Sequence, residues 1–212
     1  LKPPFMALVI SGGHSHIINV KDYTDYEIIG RTRDDAAGEC FDKTARAMGL
    51  PYPGGVHLDK IAEKGDCNAY KLPKPKVDGN PLDFSFSGLK TAVLNTINNS
   101  KQKGVDINIE DMCASIRKTV TDILIDKISV AIEKYPTKKL VLAGGVSANS
   151  EIRCRMKKFC ESKNIEFYTP ELKYCGDNAA MVAAQGYYEY KHKNLADYDL
   201  NAYATMDIAT LK

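Results

Sequence analysis

No stretch of this 212-residue chain is apolar for the roughly 18–20 residues that a membrane-crossing helix requires. The opening LKPPFMALVI also lacks the charged leader, apolar middle and small-residue cleavage site of a secretory signal. The expectation is a cytoplasmic protein with no membrane partner. There is no C-x-x-C, and the six cysteines (Cys40, Cys67, Cys113, Cys154, Cys160 and Cys175) show no spacing that suggests a zinc knuckle or a secreted disulfide framework. They read as reduced, mostly buried thiols. Histidine is scarce: His14, His16, His57 and His192 are the only four, and none stands at a metal-ligand spacing from another. The phosphate loop G-x-x-x-x-G-K-[ST], the dinucleotide fingerprint G-x-G-x-x-G, the nucleophile elbow G-x-S-x-G and the metallopeptidase helix H-E-x-x-H are all missing. Neither charge sign dominates either, since the net charge is +2, so composition does not announce a nucleic-acid binder. KLPKPK and RCRMKK are local basic clusters able to touch phosphates, although a charge run is as a rule a solvated face.

What is present, 44% hydrophobic and 26% charged residues, is the composition of a globular protein able to bury one large core or two small ones. The chain starts at Leu1 without a methionine and reaches a core-like strand within a few residues, which reads as a piece of something longer. FMALVI, SHIINV and YEIIGR, separated by turn-rich SGGH and KDYTD, predict an antiparallel meander over 5–31. DDAAGECFDKTARAMG predicts a helix, with acidic residues in its first turn, apolar Ala37, Phe41, Ala45 and Met48 at helical spacing, and Gly49 as its stop. Residues 50–83, rich in Pro, Gly and Lys, predict a long connection with a short helix near 58–64. Two helices follow, one capped by Ser87 and one over 109–135 ended by Pro136. Strand 139–143, helix 148–163, strand 166–169 and helix 177–192 then make a βαβα unit with parallel strands. The fold class is therefore α/β, with a mixed sheet that begins as a meander and is flanked by helices.

Two strand ends stop in paired glycines, LVISGGH at Leu8 to His14 and LVLAGGVSANSEIR at Leu140 to Arg153. Glycine lets a ligand approach the backbone, so the amides near Gly12 and Gly13 can form an anion nest, with the Ser11 hydroxyl beside them; a plain hairpin is the commoner explanation. At Gly144 and Gly145 a strand passes into a helix, whose N-terminus favours a phosphate or flat polar ring, with Asn149 aimed into the cleft; the alternative is that Ser147 only caps that helix. Asp35, Glu39 and Asp42 fall at i, i+4 and i+7, one helix face, suited to a hydroxyl-rich or cationic partner or to plain solvation. Asp59 follows the open backbone of Gly54 and Gly55. Asp177 in CGDNAAM is placed to cap the last helix, with metal ligation as the sharper alternative.

Taken in order, LVISGGH, DDAAGECFDKTARAMGLPYPGG, SFSGLKT, LAGGVSANSEIR and CGDNAAM closely resemble the tRNA threonylcarbamoyladenosine transferase family, formerly described as O-sialoglycoprotein endopeptidase or glycoprotease. The resemblance covers nearly all of the chain. It implies an actin-like ATPase (ribonuclease H-like) fold whose two lobes clasp a nucleotide. Residues 1–212 would then be the C-terminal lobe, with the N-terminal lobe mostly absent and the piece inactive alone. It further implies a phosphate or acyl-adenylate contact at Val9, Ile10, Ser11, Gly12 and Gly13, sugar-side contacts at Asp42, Gly55 and Asp59, a nucleotide contact at Asn149, and a metal ligand at Asp177. The family's H-x-x-x-H pair, which supplies further ligands of an iron or zinc ion, is absent from this chain. The implied substrates are threonylcarbamoyl-AMP, or an adenine nucleotide, and tRNA. The implied partners are accessory proteins of the pathway, including a homologous scaffold subunit. Ser15, His16, Cys40 and Gly176 depart from the family's commoner residues without striking these contacts, and no general base is assigned. The competing readings are a small-molecule kinase of the same superfamily, a non-catalytic scaffold paralogue, and a glycoprotein metallopeptidase.

Overall fold

In a computed structural model, which describes residues 1–202, a five-stranded sheet runs in the order β3-β2-β1-β4-β5. The strands are β1 (Phe5–Ile10), β2 (Ser15–Asp22), β3 (Asp25–Arg31), β4 (Lys139–Ala143) and β5 (Glu166–Tyr168). The first three form the predicted antiparallel meander, with Leu8 opposite Ile17 and Ile18 opposite Ile28. β4 lies parallel to β1, pairing Leu8 with Leu142, and β5 lies parallel to β4. The sheet is mixed, as the strand-rich start and βαβα end require.

Strand alternation decides which face is covered. Met6, Leu8 and Ile10 of β1 and Leu140 and Leu142 of β4 share one face and are fully buried. Against them pack α1 (Ala37–Ala47), α3 (Ser87–Gln102) and α4 (Ile109–Lys134), contributing Phe41, Leu89, Val93, Ile116 and Val120 to one continuous core. The short helix α2 (Gly54–Ile61) begins four residues earlier than the sequence predicts and runs into a 3-10 turn at Ala62–Lys64. α5 (Ser150–Ser162) connects β4 to β5, and α6 (Ala179–Lys191) buries none of its residues. α6 meets the β2–β3 turn through a flat stack of Tyr188 on Tyr23, with ring centroids 3.8 Å apart.

The thiols are all free, and Cys40, Cys113, Cys160 and Cys175 are buried, as composition predicts. Burial pushes Cys40 and Cys160 up to about 12 and Cys113 to about 11, so these three stay protonated at neutral pH. The helix caps differ from expectation. Ser87 does not cap α3: it is the first helical residue, and the first-turn amides are instead satisfied by Asp34, fifty residues away in sequence. One Asp34 oxygen accepts from Phe86 N at 2.8 Å and Ser87 N at 3.2 Å, and the other from Ser85 Oγ at 2.5 Å and Ser87 Oγ at 2.7 Å. A carboxylate reaching in from another element replaces the local hydroxyl because it satisfies two orphan amides with a full charge. Asn178, not Asp177, caps α6, accepting from Met181 N at 3.1 Å.

Partial burial pushes the Asp34 carboxyl upward, but the hydrogen bonds from Ser85, Phe86 and Ser87 outweigh it, so it titrates below its ordinary value. A lowered folded-state pKa means stability that is present above the unfolded carboxyl value of about 4 and is lost as pH falls through the folded value. Asp34→Ala is therefore expected to cost about 1–2 kcal/mol at pH 7, the range for losing a cap. Urea melts from pH 6 to pH 2 are expected to show a shallower acid loss in the variant than in the wild type.

Candidate functional site

The site forms where β1 and β4 end side by side. After Ile10 the chain turns through Ser11, Gly12 and Gly13 with Ser11 N donating to His14 O at 2.8 Å. The Ser11 hydroxyl accepts from Gly13 N at 3.3 Å and His14 N at 3.0 Å, so these amides face a side chain of their own turn. α1 abuts the hairpin through Gly38, whose amide donates to Ser11 O at 3.1 Å. A Cβ on Gly38 would lie 2.6 Å from that oxygen, so only glycine allows the helix this close. The second Gly-Gly does a different job. Gly144 has φ +91°, and a Cβ there would fall 2.3 Å from the Ile10 carbonyl oxygen. Gly145 has open space and begins a 3-10 turn through Ala148.

That turn displaces the start of α5. Asn149, at the N-cap, accepts from Ile152 N at 3.1 Å, so the alternative of Ser147 as the cap does not hold. The Ser147 hydroxyl is buried with no partner among the described residues. Asn149 is itself buried, and its side chain is both cap and lining of the cleft.

The acidic row of 35, 39 and 42 does not survive as a row. Asp35 precedes α1, and Lys43 pairs with Asp35 at 2.8 Å and Glu39 at 2.6 Å. Asp42 turns away from this cluster and accepts from Gly55 N at 3.0 Å, capping α2 from α1. Gly54 makes this crossing feasible, because a Cβ there would lie 2.6 Å from the Ala45 Cβ. Asp59, on α2, is held by Arg117 of α4 at 2.9 Å and by Ser150 of α5.

Five of the sequence-predicted residues, Gly12, Asp42, Gly55, Asp59 and Asn149, line one cleft of about 330 Å³. They come from the hairpin, α1, α2 and the start of α5. Val9, Ser11 and Asp177 instead line a second cavity, of about 560 Å³, on the sheet face opposite the core, together with His14, Val141 and Ala143. Gly145 borders both. Ile10 is fully buried and Gly13 lines neither cavity. Sequence reading missed the apolar wall of the first cleft: Phe41, Tyr52, Val56 and Val146. Tyr52 and Val56 are exposed despite their apolar surface, and their place on either side of Pro-Gly-Gly is the one sequence signal that marks them. A cleft lined by apolar side chains, two aspartates and glycine backbone suits a ligand with an aromatic ring and hydroxyl groups, and the volume is that of a small-molecule site.

Asp177 is exposed, and with Asn178 taking the cap its carboxylate is not consumed by α6. Among the described residues no three His, Cys, Asp or Glu side chains gather as a metal site. No described helix is long and apolar enough to cross a membrane.

The architecture is that of the α/β actin-like (ribonuclease H-like) class. Full-length HypF in its phosphate- and nucleotide-bound form superposes with a TM-score of 0.66 at 14% identity, over 89% of this chain and 34% of HypF. T. kodakarensis HypF gives 0.57 at 20% identity, over 80% and 21%. At these identities the likeness is one of fold. The family described as TsaD, tRNA N6-adenosine threonylcarbamoyltransferase, matches residues 1–184, and the chain belongs to that family. The tRNA N6-adenosine threonylcarbamoyltransferase of Caldicellulosiruptor bescii is 48% identical over 213 residues, covering 100% of this chain and 62% of that protein. The Bacillus cereus protein of the same name is 46% identical, covering 97% and 60%. The chain thus spans about 60% of the length of the curated relatives it matches.

The two adjacent glycines separate cleanly by substitution. Gly144→Ala is expected to destabilise the fold by about 2 kcal/mol or more, from a left-handed φ and a backbone clash together. Gly145→Ala is expected to stay within about 0.5 kcal/mol. Thermal or urea unfolding of the pair checks both.

Proposed function

We propose that this chain is the nucleotide-binding lobe of a two-lobed tRNA N6-adenosine threonylcarbamoyltransferase, and that the cleft holds the adenylate part of threonylcarbamoyl-AMP. Family membership supports the reaction. The observation that carries the placement is the convergence of Gly12, Asp42, Gly55 and Asn149, far apart in sequence, on one cleft with an aromatic wall. In the reaction the exocyclic nitrogen of the adenosine following the tRNA anticodon attacks the carbamoyl carbon. A C–N bond forms, the bond from that carbon to the phosphate oxygen breaks, AMP leaves with the electron pair, and the acylated nitrogen gives up one proton to solvent.

The lobe contributes by binding and orientation. Asp42 accepts from the sugar hydroxyls, Tyr52 and Val56 flank the base, and the hairpin at Ser11 to Gly13 approaches the phosphate side, with Gly12 on the first cleft and Ser11 on the second cavity. Asp177 is proposed as one ligand of an iron or zinc ion. Among the described residues no co-ligands gather beside it. Accessory proteins and a homologous scaffold subunit, together with tRNA as acceptor, complete the reading, and a cytoplasmic location goes with it.

The test starts from binding. Titration calorimetry with AMP is expected to show saturable binding that Asp42→Asn weakens by about tenfold, the order expected for one hydrogen bond to a charged acceptor. In a chain extended to the full length of its relatives, supplied with threonylcarbamoyl-AMP and unmodified tRNA, mass spectrometry of the digested tRNA is expected to show the threonylcarbamoyl adduct on adenosine. Phosphoryl transfer to a small-molecule acceptor with no such adduct would instead favour the kinase reading.

A further inference from the structure

The basic cluster RCRMKK, Arg153 to Lys158, lies on α5, and the nucleotide reading leaves it without a role. Helix periodicity splits it. Met156 is buried, and Arg155 turns toward α4, where its guanidinium meets Asp122 at 2.6 Å. Arg153 and Lys157, four residues apart and so on one helix face, turn toward the edge strand β5. Between α5 and β5 runs a groove of about 530 Å³, with Arg153, Cys154 and Lys157 on one side and Phe167, Tyr168 and Thr169 on the other. It borders both spaces described above. Ser150, also on its lining, follows Asn149 of the first cleft, and Tyr168 and Thr169 line the second cavity too.

Among the described residues no carboxylate lines this groove. Nor does Arg153 have an acidic partner among them. Its Nε donates to Ser147 O at 2.6 Å, and its Nη2 to Pro170 O at 2.5 Å and Cys175 Sγ at 3.2 Å. Arg117 and Arg155, by contrast, each meet an aspartate. Arg153 is half-buried, and a cation drawn out of water without a counter-charge is unfavourable until an anion reaches it. Lys157 is 67% exposed and approaches only Glu161, at 4.0 Å, a pairing that contributes little in solvent. The two cations stand about 6 Å apart along the helix axis, a spacing open to successive phosphates of one strand. The facing wall supplies two aromatic rings, the surface on which unpaired bases stack. Thr169 adds a buried hydroxyl with no partner among the described residues.

We infer that the groove between α5 and β5 is a docking surface for single-stranded RNA, with Arg153 and Lys157 on its phosphates and Phe167 and Tyr168 beside its bases. That the RNA is the looped strand of the tRNA acceptor rests on the transferase reading; the class of partner does not. Two cations in a row favour a strand over a mononucleotide, and the aromatic wall favours RNA over an acidic peptide.

Cys154 reports on the groove directly, because it is an exposed thiol on the lining, whereas Cys67, also exposed, lies outside it. Alkylation of both thiols by iodoacetamide is followed by mass spectrometry in the chain extended to the full length of its relatives, with and without an unmodified tRNA anticodon stem-loop. At a stem-loop concentration about ten times its dissociation constant, Cys154 is expected to react about tenfold more slowly and Cys67 at an unchanged rate. Binding of the labelled stem-loop is read by fluorescence anisotropy. Lys157→Glu is expected to weaken it by about tenfold, and Lys157→Ala to lower the slope of log affinity against log salt by about 0.7, one phosphate contact on a single strand. Arg153→Gln, which removes the charge and keeps donors, is expected to weaken binding to a similar degree; should it fail to fold, the exposed Lys157 still carries the test. Lys76→Glu makes the same charge change in the other basic cluster and is expected to stay within about twofold of the wild type.

A stem-loop that does not bind, or that binds without slowing Cys154, would overturn the docking surface, as would a Lys76→Glu loss equal to that of Lys157→Glu. Equal protection of Cys154 by AMP or by polyglutamate at matched occupancy would show a simple phosphate site or an acidic-protein face and overturn the RNA assignment. Protection of Cys154 by the stem-loop in a protein that places no threonylcarbamoyl adduct on tRNA would overturn the transferase reading and leave the RNA surface standing. An adduct formed at the wild-type rate by Lys157→Glu, with Cys154 unprotected, would do the reverse.

Discussion

Aspartates that cap helices belonging to other elements hold this structure together. A helix start leaves amides without intrahelical acceptors, and in most helices a local side chain takes them. Here Asp34 takes those of α3, Asp42 takes one at the start of α2, and Asp59 takes the first of α5. Each contact is a charge-assisted bond between segments remote in sequence, so it fixes a helix end in place as well as satisfying it. Two of the three acids, Asp42 and Asp59, stand on the cleft. Capping and site building are therefore the same interactions, and the cleft inherits the rigidity of the helix ends that line it.

Close backbone approach is the second constraint, and it follows from the first. For acids on α1 to reach α2, and for the hairpin to meet α1, main chains must pass nearer than a Cβ permits. Gly54 and Gly38 supply that room, and Gly144 supplies it where β4 runs out beside Ile10. The result is a junction at which two strands end, a helix begins after a 3-10 turn, and two cavities share Gly145 in their lining. One cavity is walled by helices, and the other lies on the sheet face that α1, α3 and α4 do not cover. The sequence-predicted contacts divide between them, with Asp42 and Asn149 in the first and Ser11 and Asp177 in the second.

Periodicity and turn chemistry were enough to read the meander, the long helix at 109–134, the βαβα end and the mixed sheet, because those signals are local: alternation for strands, three-to-four spacing for helices, glycine at φ +78° after α1. The glycine pairs and the order of the acidic motifs were also legible, and with them the family. Caps were read least well. Ser87, Ser147 and Asp177 each stand where a cap belongs, but Asp34, Asn149 and Asn178 hold those positions. Asp34 arrives from elsewhere in the fold and cannot be read from the residues next to α3, whereas Asn149 and Asn178 are local caps displaced by two residues and one residue from Ser147 and Asp177.

What the sequence by itself determined is which residues can do chemistry at this site: glycine where backbone must be open, aspartate where a hydroxyl or an amide must be met, and asparagine at the strand-to-helix turn. Only the tertiary structure decided what each of them meets. Asp42 and Asp59 look equivalent as letters, each an aspartate near a Pro-Gly-Gly turn. Among the described residues, folding brings the half-buried guanidinium of Arg117 and the amide of Ser150 to one of them and only the amide of Gly55 to the other. Long-range hydrogen bonding and desolvation, neither of which is encoded in local spacing, give the two carboxylates different partners.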